Sequence, residues 1–443
     1  MTHRRRPLGW SSQFGACALA LAVSFAVAAA QNTVSAKDAE RMVAEYLLLD
    51  GRNPRELERR TAILDRLRTM PALRSDREVA DWSKKIAKVW KKGRTLSRSG
   101  EHWFFGDEED RAARKGRYLV AGDSRKPKGL LIAMHGGGKG SGDAGGAFSA
   151  YQAAASQFDW VVIAPEVLER TEHGWTDSGT EEFVLDLVDA ALRTWPIDPD
   201  HVFFAGHSMG GYGSWTLGAH HADRVAAVAP AAGAPTPIME RTDDGPKIVD
   251  IAEGVIPNLR NVFVAVYQST DDVQVPPEPN QIAVKKLIAA REQWGAFEHD
   301  YWEVDGRGHG APPGGHVAQL EKIAKRSRIT IPERIVWQPT LSWKRQFYWL
   351  YWEQPKSNAL IVADLDRAAN TVRITTEAAT DGLWILVDPR VLDPKQPIVV
   401  TVNDAEVYRG SAVLMLADLL LTSGHPDPKL SFPARVPAFV RKG

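Results

Sequence analysis

The sequence predicts an α/β fold, in which a mostly parallel sheet has helices on both faces, with a helical N-terminal segment before it and a small β-rich region after it. Between residues 100 and 326, short apolar runs alternate with helix-length stretches, as they do where buried strands are joined by helices. The pattern differs on either side. Residues 37–98 have helical spacing among many charges, and strand-like runs follow closely from 327 onward.

With 443 residues, the chain is too long for one ordinary core. We divide it into four parts: a signal peptide (1–30), a helical region (31–99), an α/β domain (100–326) and a C-terminal β-rich domain (327–443). The helical region is expected to pack against the α/β domain that follows it. Lys+Arg and Asp+Glu are both 55, so the chain lacks the broad positive field that nucleic-acid binding needs.

The first thirty residues have the pattern of a secretory signal peptide. Basic residues at 3–6 precede an apolar run over 16–30, and three alanines offer a cleavage site before Gln31. A retained membrane anchor is the alternative, but this run is shorter than the ~20 apolar residues of a span. We therefore expect a periplasmic or secreted protein with no stable membrane span after cleavage. Cys17, the only cysteine, lies inside this segment.

Within the α/β domain, six buried strands and one long helix are predicted. The strands are 130–134, 160–164, 202–205, 225–228, 262–266 and 300–304, and the helix spans 183–192. The C-terminal strands are expected at 334–337, 346–352, 359–363, 371–375, 384–387 and 398–402. A tight turn at Asn403-Asp404 and a helix over 412–421 should follow.

A G-x-S-x-G motif at Gly206–Gly210 lies between the strand 202–205 and a helical stretch. This is the context of a nucleophile elbow, in which a sharp turn projects the oxygen of Ser208 from the sheet. The helix N-terminus behind the serine supplies partial positive charge to a developing oxyanion. The alternative is a glycine-rich turn with an ordinary serine.

A second glycine-rich motif, His135-Gly136-Gly137-Gly138, follows the strand 130–134. It has the form of an oxyanion-hole loop, in which main-chain N–H groups hold the oxyanion. We expect one N–H from Met209 and the other from Gly136 or Gly137. A flexible loop or a phosphate-binding nest is the alternative. His135 and His207 are expected to contact the substrate.

A nucleophilic serine needs a base, and the base needs a carboxylate that orients it. Asp271 and Asp272 compete for the second role on the loop after 262–266, and the D-x-x-V-P spacing favours Asp272. His309 lies between glycines on the loop after 300–304 and is the predicted base, with His316 as the alternative. No metal-binding motif is apparent, and we expect neither a catalytic metal nor a cofactor.

These motifs resemble those of the α/β-hydrolase superfamily, near the polyhydroxybutyrate-depolymerase and feruloyl-esterase group and the prolyl-oligopeptidase-like predicted peptidases. The stretch from Leu130 to Gly213 carries the resemblance, and the Asp-Pro-Asp lead-in at 198–200 to the Gly-His-Ser-Met-Gly-Gly elbow is its most specific part. The resemblance covers about half the chain and implies the triad Ser208, Asp272 and His309. Simple esterases of this group often lack the flanking regions found here. A prolyl oligopeptidase would carry a large propeller domain before its hydrolase domain, and residues 31–100 are too few for one.

The C-terminal region contains a dense set of aromatic residues: Trp337, Trp343, Phe347, Tyr348, Trp349, Tyr351 and Trp352. If 346–352 is one strand, alternate rings form its core face and the others pack against the α/β domain. The alternative is that some rings bind a carbohydrate.

We therefore expect an exported serine hydrolase that cleaves a small-molecule or polymer-linked carboxylic ester through an acyl-enzyme. Two other interpretations stay open. One is a serine peptidase that acts on short peptides, and the other is a non-catalytic binding module that retains the fold.

Overall fold

The computed structural model describes residues 34–105, 114–122, 124–235, 237–243 and 245–440. The predicted signal peptide lies outside these ranges. Within them, no helix combines the length and apolar character needed to cross a membrane.

An eight-stranded sheet forms the centre of the molecule. Its strands are Gly100–Phe105 (β1), Arg114–Ala121 (β2), Gly129–Met134 (β3), Trp160–Pro165 (β4), Val202–His207 (β5), Ala227–Ala231 (β6), Phe263–Ser269 (β9) and His299–Val304 (β10). The order across the sheet is β1-β2-β4-β3-β5-β6-β9-β10. β1 and β2 are antiparallel to their neighbours, whereas all pairs from β4 to β10 are parallel. The predicted fold class, a mostly parallel sheet with helices on both faces, is confirmed.

Helices cover both faces of the sheet and explain why the central strands are apolar throughout. The helices are Ala144–Tyr151 (α4), Ala154–Phe158 (α5), Thr180–Thr194 (α6), Met209–His220 (α7), Glu278–Trp294 (α8) and His316–Leu320 (α9). In β3, Leu130, Ile132 and Met134 enter the core on one face of the sheet. Leu131 and Ala133 enter the core on the other face. A strand buried on both faces reads as a continuous apolar run.

All six predicted strands of the α/β region are present, with ends that differ by one to three residues. The prediction missed β1 and β2, and it missed the hairpin formed by Pro237–Thr242 (β7) and Gly245–Ile251 (β8). These strands lie at the sheet edge or outside the central sheet. Several of their side chains face solvent, so they lack the apolar runs that reveal buried strands.

Three N-terminal helices, Ala36–Leu48 (α1), Pro54–Arg68 (α2) and Asp76–Trp90 (α3), fill the predicted helical region. Their main partner is the C-terminal helix Leu416–Leu421 (α10), with which they share a separate hydrophobic core. They also contact the α/β domain, as expected, through the ion pair of Arg52 with Asp186 at 2.9 Å and the stacking of Arg193 on the Trp90 ring. The sequence could not reveal a partner about 350 residues away, because helical periodicity identifies an apolar face and not what covers it.

Two further sheets form the C-terminal region. The first has the order β11-β14-β15-β17-β18 and comprises Arg334–Trp337, Ile361–Asp366, Thr371–Thr375, Ile398–Val402 and Ala405–Gly410. The second has the order β12-β13-β16-β19 and comprises Gln346–Phe347, Leu350–Trp352, Leu383–Val387 and Ala434–Pro437. Asn403 and Asp404 form the predicted turn, with φ angles of 47° and 65°.

The prediction of one strand over 346–352 was wrong. The chain reverses at Tyr348, where φ is 54°, and β12 and β13 pair as an antiparallel hairpin. Six of the aromatic residues are at most 8% exposed: Trp337, Phe347, Tyr348, Trp349, Tyr351 and Trp352. The Tyr348 hydroxyl donates to the Ala222 carbonyl at 2.7 Å. Burial of these rings favours a role in the core and the interface over carbohydrate binding.

The Asp-Pro-Asp lead-in at 198–200 anchors the C-terminal region. The guanidinium of Arg328 donates to Asp200 Oδ1, with Nη2 at 2.7 Å, and forms an ion pair with Asp427 at 2.7 Å. Lys429 Nζ lies 2.6 Å from Asp198 Oδ1. The sequence analysis noted this motif because of its resemblance to a known family. In the structure, its carboxylates bind Arg328 and Lys429 and so attach the C-terminal region to the α/β domain.

Replacement of Arg328 by alanine is expected to lower the free energy of unfolding by about 3–5 kcal/mol, because it leaves the buried Asp427 carboxylate without a counter-charge. Urea unfolding measures the loss. Arg326→Ala is the control, since Arg326 pairs with Glu298 at an exposed site and its loss should cost less than about 1 kcal/mol. Equal effects of the two substitutions would contradict the anchoring role.

Candidate active site

The turn that carries Ser208 has the strained geometry of a nucleophile elbow. Ser208 follows β5 directly and precedes α7 with φ 58° and ψ −122°, a conformation that few non-glycine residues adopt. Gly210 permits the turn, because a Cβ atom at this position would lie 2.1 Å from the Met134 carbonyl oxygen. The serine N–H donates to the Ala231 carbonyl at 2.8 Å, which fixes the elbow against β6.

The loop after β3 lies directly beside Ser208. A Cβ atom at Gly136 would be 3.1 Å from Ser208 Cβ, and Gly137 has a φ of 149°. Throughout the described part of the chain, no hydrogen bond uses the N–H groups of Gly136, Gly137 or Met209. Met209 is the first residue of α7, where N–H groups have no partner within the helix. These three donors therefore remain available to an anionic oxygen.

His135 does not occupy the position that the sequence suggested. It is 1% exposed, and its ring packs on Trp175 with 5.0 Å between centroids. Nδ1 donates to the Gly136 carbonyl at 2.8 Å, and Nε2 accepts from the Val167 N–H at 3.2 Å. Burial lowers the pKa of this imidazole. Because the ring is buried and both nitrogens bond to the main chain, the structure favours a supporting role for His135 beneath the glycine loop over the suggested substrate contact.

Asp272 and His309 form a hydrogen-bonded pair of ionisable side chains near the elbow. Asp272 follows β9, His309 follows β10, and Oδ2 of the carboxylate lies 2.7 Å from Nδ1 of the imidazole. The other carboxylate oxygen accepts the N–H groups of Gln274 and Val275, both at 2.9 Å. Since a carboxylate only accepts hydrogen bonds, Nδ1 carries the proton and Nε2 is left as a base.

Asp271 has a different environment from its neighbour. It is exposed, and its Oδ1 accepts the N–H groups of Arg307 at 3.2 Å and Gly308 at 2.9 Å. The hydrogen bond from the Ser269 hydroxyl has the largest effect in lowering the pKa of Asp271, and the two main-chain bonds lower it further. Asp271, the other candidate for the orienting role, therefore fastens the loop that carries His309.

His207 and His316 lie beside His309 in a stack of rings. His207 is 4.9 Å from the His309 ring and 5.0 Å from the His316 ring, between centroids. Its Nε2 donates to the His309 carbonyl at 3.1 Å, so it holds the main chain of the predicted base. His316 contacts the Tyr151 hydroxyl at 3.4 Å, and no bond joins it to Asp272. Of the two candidates, His309 is the histidine that the structure pairs with the carboxylate.

This stack predicts acid sensitivity. Burial, and then the neighbouring histidine, lowers the pKa of both His207 and His316 to about 4. Below the ordinary value of about 6.5, the unfolded chain protonates these rings while the folded protein keeps them neutral. The free energy of unfolding therefore does not depend on the pH through these rings above about pH 6.5. It falls as the pH is lowered towards 4, by about 1.4 kcal/mol per pH unit for each ring.

His316→Asn should therefore reduce the loss of stability between pH 6.5 and 4.5, measured as the midpoint of urea unfolding. His173→Asn, at an exposed position, is the control. An unchanged pH slope in His316→Asn would show that this ring does not oppose protonation.

The Ser208 hydroxyl makes no hydrogen bond within the described residues, to His309 or to any other group. Catalytic hydrogen bonds are often long without substrate and shorten when it binds. The described residues also contain no cluster of three or more His, Cys, Asp or Glu side chains that could hold a metal ion. The chemistry available here is that of a serine, an oriented imidazole and free main-chain donors.

Comparison with known proteins found one curated relative and a set of solved structures, whereas no family model matches. The relative is "Putative esterase NocK" of Nocardia uniformis subsp. tsuyamanensis, 34% identical over 210 residues. The alignment covers 44% of this chain and 59% of that relative, so the chain spans less than two thirds of the length of NocK.

Two solved structures illustrate the similarity in three dimensions. "Crystal Structure of a Thermostable Esterase" is 20% identical with a TM-score of 0.38, covering 52% of this chain and 63% of that one. "Acetyl xylan esterase from Aspergillus awamori" is 13% identical with a TM-score of 0.36, covering 51% of this chain and 98% of that one. At these values, neither structure identifies a substrate for this chain.

Proposed function

We propose that the chain is a serine hydrolase that cleaves carboxylic esters, with Ser208 as nucleophile, His309 as base and Asp272 as the orienting carboxylate. The observation that carries the proposal is the 2.7 Å bond between Asp272 and His309, on loops at the same sheet edge as the strained Ser208 elbow. The carboxyl ends of parallel strands β5, β9 and β10 bring the three loops together.

In the acylation step, His309 Nε2 takes the proton of the Ser208 hydroxyl as its oxygen attacks the ester carbonyl. The N–H of Met209 and an N–H of the glycine loop receive the negative charge that develops on the carbonyl oxygen. Asp272 stabilises the imidazolium and keeps its proton on Nδ1. The imidazolium then protonates the departing alcohol, which leaves an acyl group on the serine.

Deacylation repeats the same steps with water as the nucleophile. His309 removes a proton from the water, the hydroxide attacks the acyl carbonyl, and the carboxylic acid leaves as Ser208 regains its proton. The positioning bond from His207 to the His309 carbonyl keeps the base at the same place in both half-reactions.

The relative NocK carries the name esterase, and this supports an ester over an amide as the bond cleaved. The test is turnover of a panel of p-nitrophenyl esters beside aminoacyl-p-nitroanilides. We expect ester turnover to exceed amide turnover by far more than tenfold. Comparable amide turnover would move the assignment to a peptidase, and no turnover on either panel, by a folded protein, would favour a binding module.

We further propose that the enzyme acts outside the cytoplasm, on a small-molecule or polymer-linked ester. The support is the signal-like pattern of the first thirty residues, which ends in three alanines before Gln31. N-terminal sequencing of the protein from the periplasm or medium should begin at or near Gln31. Recovery of the full-length chain in the cytoplasm alone would contradict this location.

A further inference from the structure

A charge-rich cavity lies at the opposite end of α7 from Ser208. It has a volume of about 400 Å³, opens to solvent, and is lined by the N-terminal helices, the α/β domain and the C-terminal region. His221, directly after α7, is one of its lining residues. Since α7 has 12 residues, the cavity and the nucleophile are about 18 Å apart. The cavity is therefore distinct from the candidate active site.

Among the residues that the structure describes, six cationic side chains and four carboxylates line this cavity. Three of the cations are paired: Arg52 with Asp186, Arg224 with Asp189, and Lys344 with Asp223. The other three are Arg60, Arg193 and Arg345. Within the described ranges none of these three forms an ion pair with a carboxylate. The cavity thus carries an excess of positive charge.

Two of these three arginines lie over aromatic rings, and Arg193 also donates through Nη1 to the Arg94 carbonyl at 3.1 Å. Arg60 lies over the Tyr46 ring at 4.1 Å from its centroid, and Arg193 lies over the Trp90 ring at 4.7 Å. Nε of Arg193 and Nε of Arg345 are buried without a hydrogen-bond partner. The three side chains are half-buried and form no ion pair among the described residues, so an anion bound in the cavity would give them charge-assisted partners.

His221 restricts which anion fits. This side chain is buried, its Nε2 bonds to Glu181 at 2.7 Å, and its Nδ1 has no partner. Because the carboxylate accepts, Nε2 carries the proton and Nδ1 of the neutral ring can only accept a hydrogen bond. A ligand here should combine negative oxygens for the arginines with one O–H for Nδ1. Hydrogen phosphate and a singly protonated phosphate monoester have both groups, whereas sulfate and a simple carboxylate lack the O–H.

We propose that this cavity binds a phosphoryl group, either inorganic phosphate or a phosphate monoester on a small organic molecule. Arg193 and Arg345 hold the oxygens through charge-assisted bonds, and His221 accepts from the protonated oxygen. The cavity holds more than a phosphate ion alone, since one water occupies about 30 Å³ of liquid. Binding would join the three parts of the chain that line the cavity.

The test uses isothermal titration calorimetry on the full mature chain, dialysed into phosphate-free chloride buffer. Inorganic phosphate, glycerol 3-phosphate and sulfate are compared at equal ionic strength. We expect one saturable site for phosphate, for glycerol 3-phosphate or for both, and binding at least about tenfold weaker for sulfate. Tighter binding of glycerol 3-phosphate would identify the monoester as the ligand class, and the reverse would identify free phosphate.

Arg345→Gln should weaken binding by about tenfold or more, because one charge-assisted bond is lost. Arg55→Gln is the matched control, since Arg55 is exposed on α2, the helix that also carries Arg60. Arg345→Lys keeps the charge if the glutamine variant does not fold, and it should weaken binding less. The proposal is overturned if the wild type shows no saturable phosphate site, if sulfate binds as well as phosphate, or if Arg345→Gln binds like Arg55→Gln.

Discussion

Ser208→Ala is expected to lower kcat on p-nitrophenyl esters by about 10⁴- to 10⁶-fold, the range seen when a serine nucleophile is removed from an intact triad. The hydroxyl oxygen is the atom that forms the acyl-enzyme, and no other described group near the elbow can replace it. Residual turnover would come from the main-chain donors of Met209 and the glycine loop, which still stabilise a water-derived oxyanion.

The same substitution should leave the fold intact. The Ser208 hydroxyl makes no hydrogen bond among the described residues, and alanine keeps the Cβ atom beside Gly136. We therefore expect the unfolding midpoint of Ser208→Ala to match that of the wild type within measurement error. Wild-type turnover in this variant would exclude Ser208 as the nucleophile.

Asp272→Asn is expected to lower kcat by about 10⁴-fold, because it changes which nitrogen of His309 carries the proton. The asparagine oxygen can keep accepting the N–H groups of Gln274 and Val275, which now bond to Asp272 Oδ1. Its NH₂ group then faces His309 Nδ1, where the carboxylate stood. Nδ1 must accept, Nε2 must carry the proton, and the imidazole can no longer take a proton from Ser208.

Asp271→Asn provides the control for this argument. An asparagine at this position keeps an oxygen acceptor for the N–H groups of Arg307 and Gly308, so the histidine loop stays in place. We expect kcat to fall less than about tenfold. A larger loss in Asp271→Asn than in Asp272→Asn would reverse the assignment of the orienting carboxylate.

The sequence predicted most of the α/β region because its signals are local. Strands such as β3 and β4 are continuous apolar runs between helices, and the glycines at 206 and 210 mark a turn that side chains would block. Chain order then selected Asp272 and His309, which the structure joins by a hydrogen bond between the loops after β9 and β10. The short distance between the two side chains depends on the order of β5, β9 and β10 in the sheet. Hydrophobic periodicity identifies strands but does not reveal their order.

The errors arose where tertiary contacts decide the outcome. Tyr348 reverses the chain in a run whose composition favours one strand, because its ring is buried and its hydroxyl reaches the Ala222 carbonyl. His135 looked like a substrate contact because it begins the glycine loop, but its ring turns inward beneath that loop. Asp271 gave no signal of its role, since its partners are main-chain N–H groups 36 and 37 residues away.

The central claim is that Ser208 is a nucleophile activated by the Asp272–His309 pair. A fluorophosphonate probe tests it directly, because the serine oxygen displaces fluoride and keeps the phosphonyl group. Mass spectrometry of the digested protein should place the adduct on Ser208, with slower labelling in Asp272→Asn and none at this position in Ser208→Ala. An adduct on another residue, or a folded wild-type protein that stays unlabelled, would contradict the account.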